Sequence, residues 1–318
     1  MEELNKSIGG YFELELAKGE EYHKNAIKLN TGRNALEYIL LVNHYKKIWL
    51  PFFTCDVLLE PINKLNIEVF FYKIDEKLEP IFNFSTIKEN EAFLYTNYFG
   101  LKDGFINALA NKCRNLIIDN AQAFYSKPIT DVDTFYSPRK FFGIPDGAYL
   151  YCDKKLDTIL DRDSSFDRCA HLLKRMDSNA EIGYKDFVAN DIVLKNQPIK
   201  KMSFLTTILL ASLNYETIAM KRKENFNVLH AVLSEQNKLK FDLDLISVPL
   251  VYPFWATKDL RIKLLEHKIY TATYWPNVKK WCDGNGIETK LTEEIIHIPI
   301  DQRYFVDDMK KIIRVLHG

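Results

Sequence analysis

The sequence has no excess of charge of either sign: its 318 residues carry 43 basic and 43 acidic side chains. Nucleic acids and anionic membrane surfaces are bound by net basic faces, and this balance argues against such a face. Long apolar runs are also missing. The best of them, residues 205–213, is far shorter than the roughly 20 residues that cross a bilayer. We therefore expect neither nucleic acid nor a membrane as a partner.

Closely spaced metal-ligating residues are absent as well. None of the five cysteines belongs to a C-x-x-C motif, and the seven histidines show no H-E-x-x-H or similar spacing. These patterns are typical of zinc sites and dithiol redox centres, so we expect no metal. Residues 1–6 are charged and lack the apolar region of a secretory signal. We expect a cytoplasmic protein with reduced thiols.

Hydrophobic residues make up 47% of the chain and charged residues 27%, which is typical of a soluble globular protein. At roughly 150 residues per domain, this length predicts about two domains. Apolar strand patterns alternate with helical patterns in the first part, whereas later strand patterns lie beside prolines. We predict a large α/β domain over residues 1–230 and a small C-terminal α+β domain over residues 231–318.

The strand patterns of the first part are rich in β-branched and aromatic residues. Strands are predicted at 47–50, 68–74, 92–96, 115–119, 134–136 and 147–152, with helices at 57–65 and 105–112. This alternation indicates βαβ units and a mostly parallel sheet flanked by helices. Further on, buried or amphipathic helices are predicted at 203–215, 220–233 and 306–316, and strands at 245–251 and 294–300.

The segment with the most chemical information runs from residue 117 to residue 151. Asp119 ends an apolar strand, and ligands of parallel α/β sheets bind at the carboxyl ends of strands. Lys140 follows within the sequence SPRKFFG, between Arg139 and two phenylalanines. We expect this lysine to be partly buried. Burial and a neighbouring cation both disfavour the ammonium form, and a lysine that forms an imine must be neutral.

Together, Asp119 and Lys140 fit pyridoxal phosphate. The lysine would react with the cofactor aldehyde, and the aspartate would keep the pyridine nitrogen protonated, so that the ring accepts electrons. Each residue alone has a plainer interpretation. Asp119 could form a turn or cap, and Lys140 could lay its stem on apolar surface with its amine in water. The two in this order within a βαβ chain favour the cofactor.

The chain also resembles a known family. Five segments carry the resemblance: TGRNALEYIL (31–40), PFFTCDVL (51–58), IIDNAQAF (117–124), SPRKFFGIPDGAYL (137–150) and IPIDQRYFVDDMKKIIRVL (298–316). In these segments the sequence is similar to sugar aminotransferases of the DegT/DnrJ/StrS type, which are fold-type-I pyridoxal-phosphate enzymes. The resemblance covers the chain from about residue 30 to its end. It implies the fold-type-I architecture, with a mostly parallel, seven-stranded type of sheet flanked by helices.

The resemblance assigns roles to individual positions. The family binds the cofactor phosphate at a small-residue turn before a helix, which matches Gly32, Arg33 and Asn34. A helix start offers free amides and a positive dipole end to an anion. Asp119 matches the acid at the pyridine nitrogen, and Lys140 matches the imine lysine. Gln122 matches the residue that contacts the cofactor's phenolic oxygen.

Several positions depart from the family pattern. Where the family carries an aromatic residue stacked on the cofactor, a strict count gives Cys55, and a shift of register gives Phe53 or Phe52. Five residues before the lysine, Phe135 replaces a phosphate-binding serine, for which Thr134, Ser137 or Arg139 could compensate. Residues 199–202 read IKKM and lack the asparagine that reaches the partner subunit's cofactor. Tyr95, Asn97 and Tyr98 match a strand-end segment, where contact with a ligand and core packing remain alternatives.

The function implied by the resemblance is amino transfer to a nucleotide-linked keto-sugar, with glutamate as the typical donor. Family members are usually homodimers and serve polysaccharide or antibiotic sugar synthesis. Two alternatives stay open. One is another pyridoxal-phosphate reaction on the same scaffold, either sugar dehydration or lyase chemistry, although related dehydratases replace the lysine with histidine. The other is a non-catalytic binding or regulatory homologue, which the altered phosphate contacts suggest.

Overall fold

The computed structural model of the protein describes residues 8–256, 260–282 and 284–317. Its strands are β1 (Ile27–Leu29), β2 (Lys47–Pro51), β3 (Glu68–Ile74), β4 (Pro80–Ile81), β5 (Glu91–Thr96), β6 (Leu116–Asp119), β7 (Asp133–Tyr136), β8 (Ala148–Tyr151), β9 (Val251–Trp255) and β10 (Ile295–Pro299). Within the described residues, the first eight strands form one sheet and the last two form another.

Helices and strands alternate in the first part of the chain, as the sequence predicts, whereas several helices follow one another after β8 and again after β9. The helices are α1 (Gly32–Asn43), α2 (Leu59–Lys64), α3 (Asp103–Ala110), α4 (Ala170–Asp177), α5 (Ala180–Val193), α6 (Phe204–Ala211), α7 (Tyr215–Leu233), α8 (Arg261–Glu266), α9 (Val278–Trp281), α10 (Ile287–Glu294) and α11 (Val306–His317). None of the helices in these ranges is long and apolar enough to cross a membrane.

The large sheet has the order β1-β8-β7-β6-β5-β2-β3-β4. The five strands from β7 to β3 in this order are parallel. Strand β8 is antiparallel to β7, β1 is antiparallel to β8, and β4 is antiparallel to β3. Every residue of β5 and β6 is buried, as expected for parallel strands covered on both faces. The predicted α/β fold with a mostly parallel sheet is confirmed, and within the described residues the sheet has eight strands where the resemblance implied seven. Because β5, β6 and β7 are parallel, their carboxyl ends meet at one edge.

Three predicted elements are wrong in their extent. The helix predicted over 220–233 begins five residues earlier, at Tyr215. The helix predicted over 203–215 ends at Ala211, because the Asn214 side chain caps the next helix by accepting a hydrogen bond from the Thr217 amide at 3.0 Å. The strand predicted over 245–251 instead occupies Val251–Trp255. Leu250 lies outside it because its amide donates to the Phe99 carbonyl. A proline, Pro253, sits within the two-stranded sheet, where few ladder bonds depend on its missing amide.

Helix α7 belongs to two parts of the core. Near its start, Tyr215 packs on the aromatic cluster of the large sheet. Near its end, Phe226, Leu229 and Leu233 are buried against β9, β10 and α11. The helix therefore joins the α/β part of the chain to its C-terminal part, and the predicted boundary at residues 230 and 231 falls inside it.

Candidate active site

The two residues that carry the sequence hypothesis lie at the carboxyl edge of the large sheet. Asp119 is the last residue of β6, and it pairs with Thr96, the last residue of β5. Lys140 ends a single helical turn, Pro138–Lys140, that follows β7. The Lys140 amide donates to the Ser137 carbonyl at 3.2 Å, which fixes the turn locally. Strand order thus brings together two residues that are distant in sequence.

The carboxyl group of Asp119 is buried and held from one side. Its Oδ1 accepts a hydrogen bond from the Ala121 amide at 2.8 Å. Burial raises the pKa of Asp119, whereas the positive charge of Lys140 and the Ala121 amide act in the opposite direction. Because the charge of Lys140 acts on this carboxyl group, the two side chains lie within electrostatic range of each other.

Lys140 is less buried than the sequence predicts. The sequence predicts a partly buried lysine, but the residue is exposed. The neighbouring Arg139 turns away and lies 3.4 Å from the Asp191 carboxylate. The Lys140 Nζ lies 5.8 Å from the centre of the Tyr274 ring. The phenylalanines after the lysine are buried without covering its amine, so this amine is open to a ligand.

Cys55 and Phe53, the alternative positions for the family's stacked aromatic residue, lie in different surroundings. Cys55 is partly exposed, and the charges of Lys140 and Asp119 both act on its thiol. Burial is the largest effect and raises the pKa of Cys55. Phe53 is fully buried, with its ring 4.9 Å from Trp275. Cys55, the position given by a strict count along the family pattern, therefore lies within electrostatic range of Lys140. Phe53, the position given by a shift of register, lies in the core.

Gln122 follows β6 near the carboxyl edge of the large sheet, and one polar atom of its side chain has no hydrogen-bond partner within the described residues. Its Oε1 accepts a hydrogen bond from the Phe99 amide at 3.0 Å, and this holds Phe99 at a φ of 59°. The Gln122 Nε2 is buried and has no hydrogen-bond partner among the described residues. An unpartnered buried amide is costly, which indicates that a ligand or water completes this site.

The start of α1 lies near the helical turn Pro138–Lys140, which we call the lysine turn. Thr31 caps the helix by accepting a hydrogen bond from the Asn34 amide at 3.1 Å. This leaves the first amides of the helix, those of Gly32 and Arg33, without intrahelical partners. A Cβ built on Gly32 would lie 3.8 Å from the Phe135 ring and from the Ser137 Cβ. Gly32, at the first position of α1, therefore lies close to Ser137, the residue before the lysine turn.

The side chains of Arg33 and Asn34 are engaged elsewhere. The Arg33 Nη1 donates to the Leu194 carbonyl at 2.7 Å, and Asp191 lies 3.8 Å from its Nη2. The Asn34 Nδ2 donates to the Gln197 carbonyl at 2.8 Å. Both side chains are buried in contacts that hold α1 against the end of α5 and the loop after it, so their backbone amides are better placed than their side chains to meet an anion.

Two residues of this region carry no motif in the sequence. Tyr274 faces the Lys140 amine, and burial raises the pKa of its hydroxyl to about 12. Thr96 lies beside Asp119, and its buried hydroxyl has no hydrogen-bond partner within the described residues. The strand-end position of Thr96 is a signal that sequence reasoning could have used. By contrast, the hydroxyl of Tyr98 bonds to the Phe53 carbonyl, so this tyrosine packs in the core.

The fold of the chain matches solved structures along most of its length. Among the matches is a DegT DnrJ EryC1 StrS aminotransferase from Brucella abortus, at 18% identity, with 92% of this chain and 85% of that chain covered and a TM-score of 0.60. Another is the sugar aminotransferase CalS13 from Micromonospora echinospora, at 12% identity, 92% and 87% coverage and a TM-score of 0.60. The chain has the sugar aminotransferase fold.

The same fold is seen in NtdA from Bacillus subtilis, solved with bound cofactor PMP, at 14% identity, 92% and 73% coverage and a TM-score of 0.61. No protein-family model and no curated protein sequence matches the chain. The fold-type-I architecture implied by the sequence resemblance is confirmed.

Proposed function

We propose that this protein is a pyridoxal-phosphate-dependent aminotransferase that moves an amino group from glutamate to a nucleotide-linked keto-sugar. The observation that carries the proposal is the meeting of Lys140 and Asp119 at the carboxyl edge of a sugar aminotransferase fold. The solved structures of this fold that carry a pyridoxamine-type cofactor, such as NtdA, support the choice of cofactor.

The residues present fit this cofactor at both of its ends. The unpartnered Gln122 Nε2 would donate to the phenolic oxygen. The backbone amides of Gly32 and Arg33, with the Ser137 hydroxyl beside them, would hold the phosphate, because a helix start attracts an anion. Asn34 would contribute by capping this helix start rather than by direct contact.

Cys55 and Phe53 are the two candidates for contact with the flat face of the cofactor. We place Cys55 against the ring, because the charges of Lys140 and Asp119 both act on its thiol. Phe53 would support this region from the core, where its carbonyl accepts the Tyr98 hydroxyl at 2.9 Å. A thiol covers less of a ring than an aromatic side chain does. We therefore expect weaker stacking than an aromatic residue provides.

When bound, pyridoxal phosphate supplies a ring that takes up the electron pair released as the amino donor loses its α-proton. Asp119 would keep a proton on the ring nitrogen, because its buried carboxylate has few other ways to be stabilised. The Lys140 Nζ would take the α-proton and return it to the carbon on the other side of the nitrogen, as general base and then general acid. Its exposure leaves room for the donor and the keto-sugar to reach it.

Further parts of the proposal concern the whole protein. We propose a cytoplasmic homodimer with a cofactor-binding domain at residues 1–230 and a small domain at residues 231–318, acting in surface polysaccharide or antibiotic sugar synthesis. Retention of Lys140 favours amino transfer over sugar dehydration.

The test is covalent trapping. The purified protein is mixed with pyridoxal phosphate, reduced with borohydride and mapped by mass spectrometry. We expect the modification on Lys140, its loss in Lys140→Ala, and no change in Lys221→Ala, a matched lysine whose Nζ lies 4.2 Å from the Phe305 ring. Attachment at another residue, or no attachment, would refute the site.

Amino transfer itself is tested by incubating the loaded protein with glutamate alone. A transaminase releases 2-oxoglutarate in an amount equal to the enzyme sites, and release continues only when a nucleotide-linked keto-sugar is added. Consumption of the keto-sugar without 2-oxoglutarate would instead indicate a dehydratase or lyase. An absence of turnover with any amino donor would indicate a non-catalytic homologue.

A further inference from the structure

A buried arginine from the middle of the chain contacts the residue directly after Lys140. Arg222 on α7 is 1% exposed, and its Nη2 donates to the Phe141 carbonyl at 3.3 Å. The Gln302 Nε2 donates to the same carbonyl at 2.9 Å. Two side chains from separate parts of the chain therefore converge on the peptide group between Phe141 and Phe142, one residue beyond the lysine.

Arg222 and Gln302 also hold each other. The Arg222 Nε donates to the Gln302 Oε1 at 3.0 Å, and its Nη1 donates to the Leu250 carbonyl at 3.1 Å. The guanidinium carbon lies 4.6 Å from the centre of the Phe141 ring. The planar group is thus fixed along its edge by hydrogen bonds and on its face by an aromatic ring. A lysine offers neither this fork of donors nor this plane.

The guanidinium keeps its charge although it is buried. Burial lowers the pKa of Arg222 to about 10, and the nearby Asp301 carboxylate opposes the fall. At neutral pH the group is therefore protonated. Its hydrogen bonds to carbonyl oxygens are charge-assisted, and such bonds are stronger than those between neutral groups.

The same peptide group is also held from its N–H side, by the backbone of the lysine turn. The amides of Phe141 and Phe142 both donate to the Pro138 carbonyl at 2.9 Å. The Phe141 carbonyl is left pointing out of the turn toward Arg222 and Gln302. Rotation of this peptide group would change the direction in which the Lys140 side chain leaves the turn, because the two positions share the intervening backbone.

We propose that Arg222 and Gln302 are positioning residues that aim the Lys140 side chain toward Asp119 and Tyr274 by clamping the Phe141 carbonyl. The catalytic consequence of this inference rests on the proposed function, but the placement of the lysine does not. Through α7 and the loop before α11, the clamp ties the C-terminal part of the chain to the reactive amine.

The test measures the reactivity of Lys140 in the cofactor-free protein. Acetic anhydride is added in brief pulses over a pH series, and the labelling of Lys140 is compared with that of the exposed Lys24 in the same sample. For Gln302→Leu and Arg222→Lys we expect the ratio to change about threefold or more, because a displaced amine meets different neighbours. If Arg222→Lys does not fold, the labelling ratio measured in Gln302→Leu still decides the test.

Asn237 supplies the matched control. It lies in the C-terminal part of the chain, is buried, and its Nδ2 donates to the Pro253 carbonyl at 2.9 Å rather than to Phe141 or to the loop that carries Gln302. Asn237→Leu should lower the thermal midpoint as Gln302→Leu does, yet leave the labelling ratio of Lys140 unchanged. An equal change in both variants, or an unchanged ratio in Gln302→Leu, would overturn the proposal.

A second readout uses the loaded enzyme in steady-state turnover with glutamate and a nucleotide-linked keto-sugar. Because the proposed clamp acts on the backbone after Lys140, Gln302→Leu should lower kcat about tenfold with little change in the KM for glutamate. A change confined to KM would contradict a positioning role. If the wild-type protein takes up no pyridoxal phosphate, the proposed function fails, while the labelling ratio still decides whether the clamp sets the lysine.

Discussion

At the scale of single residues, Asp119 is a carboxyl group in a place that favours its neutral form. Burial raises its pKa, so the folded protein holds this proton more tightly than the unfolded chain does. The contribution of Asp119 to stability therefore falls as the pH rises through the folded pKa. A buried carboxyl group whose ionisation costs stability is expected in a site where a bound ligand, rather than the fold, requires the carboxylate charge.

Asp119→Asn tests whether the charge of Asp119 serves a bound ligand rather than the stability of the fold. The amide oxygen can still accept the Ala121 amide, and the buried charge is gone, so we expect an equal or higher thermal midpoint at pH 7. Glutamate turnover should fall by about 10²-fold or more, the range seen when a preorganised electrostatic group is removed. Asp103→Asn is the control, because Asp103 is a carboxyl group whose pKa burial also raises and which lies outside the site. Equal loss of activity in both variants would contradict the role of Asp119.

His297 gives a pH-dependent prediction. It is buried beside Tyr274, its Nδ1 lies 2.9 Å from the Ala272 carbonyl, and burial lowers its pKa to about 3. Below its ordinary value of 6.5 the unfolded chain gains a proton that the folded protein does not. The stability is therefore present above pH 6.5 and is lost toward pH 3, by about 1.4 kcal/mol per pH unit.

Urea unfolding between pH 6 and pH 4 measures this slope. His297→Gln should reduce the loss of unfolding free energy by about 1.4 kcal/mol per pH unit relative to the wild-type protein. His267→Gln, at an exposed histidine, should leave the slope as it is. An unchanged slope in His297→Gln would show that this ring is protonated in the folded protein.

The sequence predicted residue positions better than residue environments. Asp119 could be placed because an apolar run that ends in an acid marks the end of a parallel strand. The exposure of Lys140 could not be predicted. The way in which the lysine turn is held decides whether the neighbouring aromatic residues cover the amine, and the local sequence does not contain this information. Arg222, which holds that turn, is separated from Lys140 by helices α4 to α6, and no local pattern connects the two.

At the scale of secondary-structure elements, the start of α1 makes a prediction about phosphate. Gly32→Ala places a Cβ at 3.8 Å from Phe135 and Ser137, which is an ordinary contact, and alanine suits a helix better than glycine does. We expect an unchanged or slightly higher thermal midpoint. Affinity for pyridoxal phosphate should fall about tenfold, since the added methyl group fills the space beside the free amides.

Fluorescence titration with pyridoxal phosphate measures this affinity. Gly143→Ala is the matched control, because its Cβ would meet only the Leu172 side chain, at 3.5 Å. If Gly32→Ala binds the cofactor as tightly as the wild-type protein, the phosphate does not lie at this helix start.

Elements were predictable where one pattern dominated. Strand β3 has the predicted range, residues 68–74, because its run of β-branched and aromatic residues is bounded by turn signals. The helix predicted over 203–215 is interrupted because capping by Asn214 competes with an apolar run that continues past it. Strand β1 has only three residues, too few for a periodic signal, and it exists because it pairs with β8.

At the scale of the whole molecule, the apolar surface of α4 and α5 bears on assembly. Leu173, Met176 and Ile182 are exposed on these two helices, and a cluster of exposed apolar side chains is typical of an interface. The helices also border the lysine turn. Asp191 on α5 pairs with Arg139, and Leu172 on α4 faces Gly143. A second copy of the chain bound here would lie beside the candidate active site, which agrees with the proposed homodimer.

The double variant Leu173→Glu/Met176→Glu tests this arrangement. Both side chains are more than half exposed in the single chain, at 61% and 85%, so the charges should cost the isolated fold little, whereas they would be buried in a dimer at a much larger cost. Light scattering at micromolar concentration should give a dimer for the wild-type protein and a monomer for the double variant. Ile262→Glu, a change at another exposed isoleucine (74%) on α8, should remain dimeric. A wild-type monomer would contradict the homodimer, and a dimeric double variant would place the interface on another face.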